Sequence, residues 1–148
     1  MIDVQNLSKQ YGRYTAVDKL SFQVGSGQIV GFLGPNGAGK TTTLRMLTGY
    51  LPPTSGSANI AGYDIFRQSL QARRKIGYMP ENVPLYDEMR VKEYLSYRAN
   101  LKGLKGKNAR NHISEAMDLC SLTHVRRKMI KTLSKGYRQR VGLSLIHI

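Results

Sequence analysis

Cysteine occurs once in these 148 residues, tryptophan not at all, and nine acidic residues stand against 23 lysines and arginines. A single cysteine excludes an internal disulfide framework. Cys120 falls with Ile113, Ala116 and Met117 at helical i, i+3, i+4, i+7 spacing, which makes it a core side chain and not a nucleophile. No run approaches the roughly 18 to 20 apolar residues of a membrane span. Met1-Ile2-Asp3 opens directly into strand-like sequence without a signal peptide, so a cytosolic chain is expected. The length suits one domain with a real core, and there are no internal repeats and no low-complexity tract.

The shortage of acid is uneven. Residues 1 to 89 carry nine Lys/Arg and six Asp/Glu, residues 90 to 140 fourteen and three. A basic segment suits nucleic acid, an anionic membrane surface, or simply the solvated face of a helical subdomain. The last reading is preferred, because the basic residues lack the interleaved aromatics of a single-strand binding surface.

What is present is more specific. Gly34-Pro35-Asn36-Gly37-Ala38-Gly39-Lys40-Thr41 fills every fixed position of G-x-x-x-x-G-K-[ST], with Thr42 following. A tight turn between strand and helix aims successive N–H groups inward as a cradle for phosphate oxygens, and bulky side chains would fill it. Gly34, Gly37 and Gly39 supply permissive dihedrals. The Lys40 ammonium suits the β and γ phosphates, and the Thr41 hydroxyl suits Mg²⁺. This is a nucleoside triphosphate site.

Around it, Ile2 to Leu7 and Leu20 to Val24 alternate as half-exposed antiparallel strands. Gln28 to Leu33 reads as a buried strand, Lys40 to Leu47 as a helix with Leu44 and Leu47 inward, and Gly49 as its stop. Ser57 to Ile60 is a short strand, Gly62-Tyr63-Asp64 a turn, Arg67 to Lys75 a short helix, and Ile76 to Met79 a second buried strand closed by Pro80. Glu81 to Glu88 is a loop. From Val91 the period becomes 3.6: Val91, Tyr94, Leu95, Arg98 and Leu101 mark one helix ended by Gly103, and Asn108 to Cys120 a second. An irregular connector runs from Leu122 to Leu133. A last helix begins near Tyr137 and is still running at Ile148.

A second motif narrows the reading. Leu133-Ser134-Lys135-Gly136-Tyr137, about a hundred residues after the phosphate loop, resembles the Leu-Ser-Gly-Gly-Gln signature of the ATP-binding-cassette (ABC) family. Tyr11 sits where that family places the aromatic that stacks on adenine, and Gly77-Tyr78-Met79-Pro80-Glu81 where it has its Q-loop. The resemblance runs from Met1 to about His147. It implies an α/β P-loop NTPase with an antiparallel β subdomain, an incomplete RecA-like core and a helical subdomain, divided as residues 1–89 and 90–140.

The resemblance further implies an ATP-binding subunit of a transporter, most like bacterial ABC-2-type ATPases. Its cofactors are ATP and Mg²⁺, with Thr41 and Glu81 as metal ligands. Its partners are a second protomer, arranged head to tail, and an integral membrane permease on whose cytoplasmic side it sits. The signature residues Leu133 to Tyr137 face the ATP of the other protomer. Independently, Ser134 and the Gly136 N–H precede a helix, where free N–H groups and the helix dipole attract anions. A soluble ABC-type ATPase acting on nucleic acid or ribosomes is the alternative, resting only on the basic segment.

Three residues depart from the family pattern: Glu81 for Gln, Lys135 for the first signature Gly, and Tyr137 for the signature Gln. More is absent. The Walker B Asp, the catalytic Glu and the switch His follow the signature by more residues than this chain has, and His124 and His147 do not occupy the switch position. The expectation is an N-terminal fragment that holds ATP without hydrolysing it.

Overall fold

The computed structural model describes every residue from Met1 to Ile148 and divides into two units, Met1–Gly77 and Tyr78–Ile148. The change of hydrophobic period comes later, at Val91. The intervening Leu85 and Met89 nevertheless pack on the core of the second unit.

In the first unit, β1 (Ile2–Tyr11) pairs antiparallel with β2 (Tyr14–Val24) and, on its other edge, with β3 (Ser55–Ile60), which pairs with the two-residue β4 (Tyr63–Asp64). The order is β2-β1-β3-β4. The register of β1 shifts between Val4 and Leu7, where Asn6 takes a left-handed φ of 48° and its N–H donates to Ser21 Oγ. A bulge inserts one residue, so Val4 and Leu7, three apart, share the buried face. This is why the alternation read from the sequence loosens at Leu7. Against that face packs α1 (Lys40–Leu47) through Met46 and Leu47, joined by Ile65 and by Ala72 of α2 (Ser69–Arg73).

Two expected strands are not formed. Gln28 to Leu33 makes no ladder, and Ile29 and Leu33 stand in solvent at 102% and 92% relative exposure. A buried strand needs hydrogen-bonding neighbours on both edges, and the four strands of this unit pair only with one another. Ile76 packs on the first unit's core, but Tyr78 and Met79 are exposed and no strand forms there either, for the same reason. Two helix faces also differ. The buried stripe of α1 is Thr43, Met46 and Leu47, an i, i+3, i+4 set that leaves Leu44 outside. Leu101, at the end of the helix beginning at Val91, is exposed, and Ala99 takes the inward place.

The second unit closes its own core. The helices are α3 (Val91–Leu101), α4 (Gly106–Leu119) and α5 (Lys135–His147), with two 3-10 turns, Thr123–Val125 and Ile130–Thr132, in the irregular connector. Tyr94, Leu95, Ile113, Met117, Cys120, Leu122, Ile130 and Val141 form one buried cluster. α4 begins at Gly106 and α5 at Lys135, each two residues before the starts expected at Asn108 and near Tyr137, since Lys105 and Ser134 take the extended dihedrals of an N-cap. No helix of the chain is long and apolar enough to cross a membrane.

Candidate functional site

The phosphate loop leaves the exposed stretch ending at Leu33 and enters α1 at Lys40. Gly39, the N-cap, has φ 81°, and Gly37 has φ 87°. At Gly39 a side chain is excluded twice over. The left-handed dihedral strains an L-residue, and a Cβ there would collide with the Ala16 carbonyl oxygen and stand 3.0 Å from Val17 Cγ2. The loop is thereby seated directly on β2.

The first intrahelical bond of α1 runs from Thr43 N–H to Gly39 O at 2.8 Å. The N–H groups of Lys40, Thr41 and Thr42 therefore make no bond to the chain, and no side chain caps them. No acidic residue lies in the first turn. Three free donors, the positive end of the helix and the exposed Thr41 hydroxyl thus sit beside the Lys40 ammonium. That ammonium donates to the carbonyls of Gly34 and Pro35 at 2.6 and 2.7 Å, which arches the Lys40 side chain over the loop. Donors of this kind, without a competing carboxylate, fit a phosphate chain. A hydroxyl next to the lysine fits an oxygen-seeking Mg²⁺.

Tyr11 lies at the hairpin end of the same sheet, paired with Tyr14 and 48% exposed, while Lys9 pairs with Val17, the residue against Gly39. The β hairpin thus carries Tyr11 on the strand pair that seats the phosphate loop. Lys9 Nζ stands 5.3 Å from the Tyr11 ring centroid and donates to the Pro52 carbonyl at 2.8 Å. Sequence reading missed Lys9, although its i, i+2 spacing from Tyr11 puts both on one face of the strand.

In the second unit, Ser134 is the N-cap of α5, accepting from Tyr137 N–H at 3.4 Å, and the amides of Lys135 and Gly136 have no partner in the chain. Lys135 lies in the first turn with no positive φ, so the glycine it replaces is not demanded by the backbone here. Gly136 is exposed, and a Cβ there would meet nothing within 4 Å. Leu133 is buried and anchors the motif to the core.

Tyr137 is held from two sides: its hydroxyl lies 2.9 Å from His124 Nε2, and the Arg140 guanidinium stands 5.4 Å from its ring centroid. Neither partner was singled out for this role by the sequence, because the contact joins a 3-10 turn to a helix thirteen residues on. Glu81 is exposed and borders a surface cavity of about 370 Å³ together with Lys135 and Arg138. Cys120 is buried, and burial pushes its thiol above the ordinary range against the opposing pull of Arg140, as suits a packing side chain.

The chain is similar to known proteins in sequence and in fold. The sequence profile described as "ABC transporter" matches residues 17–147. The bacitracin transport ATP-binding protein BcrA of Bacillus licheniformis is 39% identical over 99% of this chain and 48% of its own length. The linearmycin resistance ATP-binding protein LnrL of Bacillus subtilis is 35% identical over 99% and 48%. The chain thus spans about half the length of these curated relatives. Among solved structures, an ATP binding subunit of an ABC transporter superposes with a TM-score of 0.81 at 28% identity, over 98% of this chain and 60% of that one. The cbiO1 protein of Clostridium perfringens reaches 0.85 at 23%, a likeness of fold. The chain belongs to the ABC transporter family and has the fold of its ATP-binding subunits.

Proposed function

We propose that this chain supplies the ATP-binding and signature elements of a transporter's ATP-binding subunit, of the bacterial ABC-2 type. The observation that carries the reading is the start of α1, where three unbonded N–H groups, the Lys40 ammonium and the Thr41 hydroxyl stand together. Gly34 to Thr42 hold the phosphates of ATP through these donors, and Tyr11 stacks on the adenine. Thr41 holds Mg²⁺, which neutralises phosphate charge when bound. Lys135 and Gly136 offer their free amides, and Ser134 its hydroxyl, to the triphosphate of a second protomer, so that two chains close head to tail around two ATP molecules. BcrA and LnrL are named for bacitracin transport and linearmycin resistance. By analogy the partner is a membrane permease, and the site of action its cytoplasmic side.

Residues 1 to 148 contain no carboxylate assigned to activate water, so this stretch binds ATP without turning it over. The test is ATP affinity by calorimetry for the chain and its Lys40→Ala variant. Loss of the side-chain cation from a charged phosphate site should weaken binding by about tenfold or more. Equal affinities would remove the reading, and steady phosphate release abolished by the same substitution would show a catalytic base in these residues.

A further inference from the structure

Two of the three departures from the family pattern meet in one place. The surface cavity of about 370 Å³ in the second unit is walled on one side by Glu81, Asn82 and Val83, and on the other by Lys135, Arg138 and Gln139 of α5. The stretch from Val83 to Asp87 is held against α5. Val83 lies so close over α5 that a Cβ at Gly142 would stand 2.7 Å from its Cγ2, and Asp87 pairs with Arg138 at 2.8 Å. Farther along, Lys131 is paired with Glu88 at 3.0 Å. The cations around this cavity are therefore committed, except Lys135; and of the carboxylates from Glu81 to Glu88, only Glu81 has no cation within ion-pairing distance.

We infer that Glu81 and Lys135 act as a matched charge pair across this cavity, coupling the loop after Pro80 to the first turn of the signature helix within one chain. Either change alone would place an unbalanced charge on the cavity wall; together they cancel. Val83 and Asp87 are held against α5, Glu81 lies before both contacts with no partner of its own, and the flexible Lys135 stem faces it across the cavity. Closing the gap excludes water from the pair and strengthens it, so the signature helix responds to the position of Glu81. Glu81 and Lys135 are positioning residues on this account, and Glu81 works through Lys135 instead of ligating Mg²⁺. The inference rests on the proposed ATPase function.

The experiment is a charge swap in the full-length protein, read as kcat and KM for ATP. Glu81→Lys or Lys135→Glu alone puts like charges face to face and should lower kcat about five- to tenfold with little change in KM. The double variant should recover to within about twofold of the parent. A metal ligand cannot be rescued this way, since lysine does not coordinate Mg²⁺. A double variant no better than the worse single, an unchanged kcat in either single, or a loss confined to KM would overturn the pairing. If reversal impairs folding, seen as a lowered Tm, the neutral set Glu81→Gln, Lys135→Gln and their combination decides. Non-additive losses, with the double no worse than a single, support the pair, and additive ones sink it. Lys40→Ala, measured alongside for ATP affinity, reports separately on the parent reading.

Discussion

Tyr94 in the second unit is fully buried, its hydroxyl donating to the Pro84 carbonyl at 3.2 Å, while Ile29 in the first unit stands wholly in solvent, although both lie in runs whose pattern promises burial. The difference is in what each run needs. A helix satisfies its own backbone, so an apolar stripe finds cover from any neighbouring helix, and α3, α4 and α5 follow one another within sixty residues. A buried strand must borrow partners for every N–H and C=O along its length. The unit carrying the phosphate loop spends its strands on an antiparallel sheet, and the run before the loop is left unpaired. Packing in the helical unit is local, whereas in the phosphate-loop unit it depends on pairing that residues 1 to 77 do not offer.

The largest effect that tests this contrast is in the helical core. Tyr94→Ala removes a fully buried ring and should cost about 3 to 5 kcal/mol in urea unfolding of that unit, whereas Ile29→Ser should stay within about 0.5 kcal/mol. Similar costs for the two would break the comparison. Next, Gly39→Ala forces a side chain into the Ala16 carbonyl from a left-handed backbone and should cost about 1 to 3 kcal/mol, with ATP affinity falling as the loop shifts off β2. An alanine there that leaves both quantities untouched would mean that the seating of the loop is not needed. Smaller again, Tyr11→Ala should weaken ATP binding by about 1 to 2 kcal/mol, and Tyr11→Phe should not, because stacking uses the ring and not the hydroxyl. Equal losses would point to the hydroxyl instead.

How much was legible follows the same division. The bounds of α1 at Lys40 and Leu47, the stop at Gly49, α3 from Val91 to Leu101 and the burial of Cys120 all follow from turn chemistry and a 3.6-residue period, which are properties of the local chain. Gln28 to Leu33 and Ile76 to Met79 have the composition of buried strands, but composition says only that burial would be favourable. It does not supply a neighbour. Likewise the motif placed Lys40 and Thr41 at the mouth of a helix, while the seat of Gly39 on Ala16, the Lys9 contact to Tyr11 and the His124 contact to Tyr137 depend on register and on how separate elements fold back.

The central claim is that the free amides at the start of α1 are phosphate ligands, and hydrogen exchange reads those amides directly. In the full-length protein with Mg²⁺, adding ATP should slow exchange across residues 39 to 43, and Lys40→Ala should erase that protection at the same ATP concentration. Protection that appears elsewhere while Lys40, Thr41 and Thr42 exchange as before would contradict the account.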